Sequence, residues 1–138
     1  MQRFASLCSS RHALLAAALA GLGGAATAAE DIVAYDGRWE VLVPQRPTVR
    51  LVIQDFVGTW QEVGKAADPK RAACLNKKLP LTVQHSSSKE LEFTVWGVDV
   101  SPGCPNLTIA LKPVDERTME GTVDDAQPIR IRRQKPFR

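Results

Sequence analysis

Residues 90–96 read Glu90-Leu91-Glu92-Phe93-Thr94-Val95-Trp96, and in them Leu91, Phe93 and Val95 alternate with Glu92, Thr94 and Trp96. A period of two sends successive side chains to opposite faces, so this stretch is a strand with one core face and one wetter face. Ser101-Pro102-Gly103-Cys104-Pro105-Asn106 follows, with two prolines that lack amide donors and a glycine free to take positive φ. Such a run turns the chain. Leu107, Ile109 and Leu111 then alternate with Thr108, Ala110 and Lys112 as far as Pro113. Two half-buried strands joined by a turn make an antiparallel hairpin.

Working outward, short strand patterns recur at 38–43, 49–54, 58–63, 79–84, 117–123 and 128–133, which with 90–96 and 107–112 makes eight. Val52 adds an apolar residue to the second face of 49–54, so that strand is expected to be covered on both sides. Phe56 and Trp60 are expected on one face around Gly58, a glycine that marks a bulge or the close approach of another backbone. Between 64 and 78 the alternation fails and Lys65, Lys70, Arg71, Lys77 and Lys78 collect, with a short helical turn expected after Asp68-Pro69. Short links and no long helix define an all-β chain, an antiparallel meander that forms either a small barrel or a two-sheet sandwich.

At the N-terminus, Arg3 and Arg11 precede an apolar run at 13–22 and small residues at 23–29, the layout of a secretory signal peptide cleaved after Ala28 or Ala29. About ten apolar residues fall short of the roughly twenty that span a bilayer as a helix. The chain therefore divides into a signal at 1–29, a single β-domain at 30–133 and a basic tail at 134–138. It is expected to be exported to a bacterial periplasm or the medium, without stable membrane insertion. Cys8 leaves with the signal, and Cys74 and Cys104, left as a pair in an oxidising compartment, are expected to form a disulfide. Taking Arg3 and Arg11 from the formal charge of +3 leaves +1, so no global field favours nucleic acid.

No catalytic constellation stands out. His85 lies beside Ser86, Ser87 and Ser88 in a polar turn, without a rigid element to hold a nucleophile and base. With both cysteines oxidised, His85 is the one strong metal ligand of the mature chain, so neither a metal site nor a cofactor is expected. Asp115-Glu116 and Asp124-Asp125 read as turn residues. Three features point to binding. Trp96 falls on the polar face of its strand, where an exposed indole stacks on a sugar ring or anchors a protein. Arg130, Arg132 and Arg133 give the last strand a basic face, suited to an acidic partner or to protecting an edge strand. The lysines of 64–78 form a second basic segment.

Gly58-Thr59-Trp60, together with the last-strand arginines, resembles the calycin group of small up-and-down barrels, which includes lipocalins, avidins and periplasmic inhibitors of metalloproteases. In lipocalins a Gly-x-Trp lies on the first barrel strand and an arginine near the final strand packs over its tryptophan. The resemblance implies that Trp60 is that tryptophan and Arg130 or Arg132 that arginine. The function expected from the whole reading is an exported, non-enzymatic binding or interaction module. Its partner is a protein, a saccharide or a small molecule, and its oligomeric state is left open. A periplasmic protease inhibitor and a lipocalin-like carrier of a small ligand are the alternatives.

Overall fold

The computed structural model describes Gly24 and residues 31–42, 48–65 and 69–136. The expected signal peptide and its cleavage site lie outside them apart from Gly24, as do Asp68 and the last two residues of the expected tail. Eight strands follow one another around a closed barrel: β1 (Gly37–Leu42), β2 (Thr48–Gln54), β3 (Val57–Val63), β4 (Leu79–Ser86), β5 (Leu91–Val95), β6 (Leu107–Pro113), β7 (Thr118–Val123) and β8 (Gln127–Arg133). Each pairs antiparallel with its neighbours in sequence, and β1 closes the sheet on β8 from Trp39↔Arg133 to Leu42↔Arg130. The sequence left barrel and sandwich open; this closure makes it a barrel.

Closure removes the edge that β8 was expected to present. Its outward arginines instead sit in the wall between Glu40 on β1 and Glu120 on β7.

The core consists of the inward residues of every strand. Leu51, Phe93, Leu91, Ile109, Leu111 and Ile131 are fully buried, and Trp39 and Trp60 nearly so. An eight-stranded barrel is just wide enough for side chains to fill it. Here Trp60 and Phe93 meet inside it with their ring centroids 6.3 Å apart. At Gly58 a Cβ would lie 1.9 Å from the Val52 carbonyl oxygen on the neighbouring strand β2. The sequence expectation of a close backbone approach at Gly58 is met, and no side chain but hydrogen is accommodated.

Two details differ from the sequence expectation. Val52 is only half-buried, because the outer face of β2 is wall and not a second core. Phe56 does not share a face with Trp60: Asp55 and Phe56 form the β2–β3 turn with φ of 51° and 63°, which breaks the alternation between them. The expected helical turn is a 3-10 turn at Pro69–Arg71.

The barrel has two different ends. At the lower end, where β1 begins, residues 31–36 cross the β4–β5 hairpin: Val33 N donates to Ser86 O and Tyr35 Oη to Ser87 O at 2.6 Å. At the upper end, residues 69–78 fold back onto β3 through Asn76. Its N–H donates to Glu62 O, and its side chain both accepts from Gly64 N and donates to Gly64 O. The Cys74–Cys104 disulfide then ties this connection to the β5–β6 loop, with Cα atoms 5.1 Å apart.

The bridge closes a loop of 30 residues in sequence separation. Chain entropy sets its contribution at about 3.5 kcal/mol, a large part of a small domain's stability. The Cys74→Ser, Cys104→Ser variant is therefore expected to lose about that much in urea unfolding. A loss below about 1 kcal/mol would show that the upper end is held by its hydrogen bonds alone.

Candidate functional site

The residues singled out in the sequence fall in three places. Trp60 is part of the core, 2% exposed, and is not available to a partner. Trp96 stands just beyond β5 on the outer wall, half-buried, and its indole N–H donates to Thr82 Oγ1 at 3.2 Å. Thr94 beside it is buried against Gln84, whose side-chain oxygen accepts from the Thr94 hydroxyl at 3.0 Å. Arg130 pairs with Glu120 and Arg132 with Glu40, both on the exposed wall. Exposed pairs of this kind contribute little to stability.

Arg133 is different. It lies at the lower rim, its guanidinium 4.8 Å from the centroid of the Trp39 ring, and one of its terminal nitrogens donates to Asp36 O at 3.0 Å. Trp39 in turn donates from its indole N–H to Tyr35 O at 3.1 Å. Gly37 precedes this tryptophan by two residues at the start of β1, and an arginine of β8 covers it. Trp60 of Gly58-Thr59-Trp60 lies in the core, while Arg130 and Arg132 pair with Glu120 and Glu40 on the outer wall. The sequence holds both Gly-x-Trp triplets. Strand order is the signal that separates them, since only the first begins β1.

Sequence reading also passed over Glu62. It points into the upper end of the barrel, 3% exposed, and forms an ion pair with Arg71 from the connection above. Its strand neighbours Val57, Thr59 and Gln61 face outward, so parity puts Glu62 with Trp60 inside. Glu62 Oε2 and Arg71 Nε have no partner among the described residues. A buried pair so incompletely satisfied adds little net stability, although breaking it is costly.

At the opposite end, the lower rim carries exposed apolar side chains, as the β5–β6 loop does with Val98 and Val100. Phe56 is 43% exposed, Val57 55% and Ile32 78%. Phe56 and Ile32, with Val83, Gln84, His85 and Ser86, line a depression of about 410 Å³. Five non-glycine residues have positive φ: Asp55, Asn76, Asp124, Asp125 and Phe56. Asp and Asn tolerate that region through their short polar side chains, whereas a bulky aromatic does not. Holding Phe56 there costs of order 1–2 kcal/mol.

Burial raises the Tyr35 phenol above its usual value, and hydrogen bonding from the Arg117 amide holds the Asp115 carboxyl below the usual carboxylate range. His85 belongs to the end of β4 and not to a turn, because β4 pairs with β5 through Ser86↔Leu91 beyond a bulge. Ser86 gives its hydroxyl to Val33 O, and Ser87 Oγ accepts from the backbone N–H of Lys89 and Glu90. Among the described residues, no three His, Cys, Asp or Glu side chains are grouped to hold a metal, and no helix is long and apolar enough to cross a membrane. Compared with protein-family models, curated proteins and solved structures, the chain has no match.

The Glu62–Arg71 pair makes an asymmetric prediction. Arg71 is a quarter exposed and recovers water when Glu62 is removed, whereas Glu62 is left uncompensated when Arg71 is removed. Arg71→Leu is expected to cost about 3 kcal/mol in chemical unfolding and Glu62→Leu clearly less, with the double variant close to wild type. Equal losses in the two single variants would contradict this account.

Proposed function

We propose that the chain is an exported, non-enzymatic binding module of calycin-like build that engages a protein partner from outside the barrel, at the lower-end tip formed by Asp55 and Phe56. The observation that carries the reading is Phe56 itself. A projecting aromatic is kept in a left-handed backbone conformation at a hairpin turn, where Gly or Asn would fit without strain. Strain held at an exposed position without a matching gain in the core is the signature of a site kept for contact. Phe56 with Val57 and Ile32 supplies an apolar anchor, and large rigid aromatics dominate the energetics of protein interfaces.

Other features support the same reading. The barrel axis is occupied by Trp60, Phe93 and the surrounding aliphatic side chains, which weighs against a ligand carried within. Ser86 at the end of β4 ties down Val33 and Ser87 accepts within the β4–β5 turn, which weighs against nucleophilic chemistry there. Arg38, Glu40, Arg50, Arg130 and Arg132 occupy the outer wall, where a membrane-spanning barrel carries an apolar band. Export rests on the N-terminal sequence and agrees with the disulfide. The protease-inhibitor alternative draws on the same tip, because a rigid hairpin presenting one aromatic suits an enclosed cleft. Residues 31–36 are hydrogen-bonded to the barrel and are not free to enter one.

Phe56→Gly separates contact from folding. The variant is expected to be as stable as wild type or up to about 1 kcal/mol more stable. Capture of periplasmic or secreted proteins by the immobilised mature chain is expected to fall sharply, and a panel of secreted proteases assayed with both forms tests the inhibitor alternative. Unchanged capture by Phe56→Gly would remove the tip from the site, and a large loss of stability would show that Phe56 is kept for packing.

A further inference from the structure

Away from the Phe56 tip, a groove of about 580 Å³ crosses the outer wall over β1, β2 and β3. Its rim is set by cross-strand register. Arg50 stands opposite Gln61, Arg38 opposite Val52 and Val52 opposite Thr59, while Lys78 lies at the entry to β4. Arg38 and Arg50 are diagonal neighbours on adjacent strands, about 7 Å apart at Cβ. Lys78 is two strand spacings beyond Arg50, or about 10 Å. The groove is thus lined by three cations, by the polar Thr59, Gln61 and Gln134, and by no carboxylate.

The charge of this groove is not a share of a generally basic surface. With a formal charge near neutrality in the mature chain, positive potential here comes from segregation. The neighbouring arginines make the contrast: Arg130 is matched by Glu120 and Arg132 by Glu40. Glu40 is the carboxylate opposite Arg50 in the register, and it turns to Arg132 instead. Among the described residues, Arg38, Arg50 and Lys78 have no ion pair, and all three are exposed.

We infer that this groove binds an anionic saccharide chain, with Arg38, Arg50 and Lys78 holding its carboxylate or sulfate groups and Thr59, Gln61 and Gln134 holding its hydroxyls. Guanidinium forks match planar or tetrahedral oxyanions, and side-chain amides both donate and accept, as sugar hydroxyls do. The other polyanions fit less well. Trp39, the one aromatic along the groove, is 2% exposed, so it offers nucleic acid bases no ring to stack on. An extended acidic peptide needs a free strand edge or apolar pockets, and β1, β2 and β3 are paired on both sides. A lipid surface calls for an apolar face beside the cations, which this wall lacks.

The test uses the mature chain at physiological ionic strength in affinity electrophoresis against polygalacturonate, dextran sulfate, neutral dextran and poly-glutamate, with flotation on anionic phospholipid vesicles. Wild type is expected to be retarded by at least one acidic polysaccharide and not by neutral dextran. The Arg38→Gln, Arg50→Gln variant is expected to lose roughly ten-fold in affinity, whereas Lys89→Gln, Lys112→Gln, with the same change in charge, keeps it within about two-fold. Gln61→Ala, which changes no charge, is expected to weaken saccharide binding alone. Three results would overturn the inference: no retardation by either acidic polysaccharide, equal losses in the two charge-matched variants, or tighter binding to poly-glutamate or vesicles. Because all substituted side chains lie outside the core, an unchanged melting curve accompanies each variant if the loss belongs to the groove.

Discussion

Pairing of β1 with β8 is the contact on which the rest of this molecule depends. A meander of eight short strands with one apolar face buries that face only when the sheet curls and its ends meet. The register from Trp39↔Arg133 to Leu42↔Arg130 performs that closure. Once closed, every strand has a neighbour on both sides, and inward residues including Trp60 and Phe93 occupy the interior. Charged residues that would guard an edge in an open sheet become a continuous outer wall. The proposed recognition accordingly falls on the surface of the barrel.

The two ends of the tube are stopped by different chemistry. Below, an aromatic and a cation work together: Trp39 is held by Tyr35 O on one side and covered by Arg133 on the other, and residues 31–36 lie across the hairpin of β4 and β5. Cation–π contacts of this kind contribute of order 1 kcal/mol and fix orientation as much as stability. Above, a covalent bridge and a buried ion pair hold the long connection over the barrel mouth. With both ends stopped and the axis filled, what is left for contact is the strained Phe56 tip and the uncompensated cations of the β1–β3 wall.

The alternation of apolar residues was legible strand by strand, because a half-buried strand needs nothing beyond its own period to reveal its faces. All eight strands lie where that period puts them, with ends shifted by one or two residues. The disulfide was legible from cysteine count and export signal. The functional candidates were less so. Gly37-Arg38-Trp39 and Gly58-Thr59-Trp60 look alike in the sequence, and only the strand each occupies, and the arginine brought over it, distinguishes them. Parity carried through Asp55-Phe56 puts Phe56 on one face with Trp60, but parity has no meaning across a turn. Glu62 was overlooked because a lone carboxylate in a strand normally marks the wet face, and its inward position is tolerable only with Arg71 folded down upon it.

What the sequence determined by itself was local: strand positions, the turns at proline and glycine, the close approach at Gly58 and the all-β class. These follow from backbone sterics and from a period of two, which act over a few residues. What only the tertiary structure decided was everything that depends on distant pairs: barrel against sandwich, Trp39 with Arg133, Glu62 with Arg71, and Arg38, Arg50 and Lys78, without ion pairs among the described residues, along one groove. Such pairs are set by how a twisted sheet closes, a property of all eight strands together that no single stretch of the chain carries.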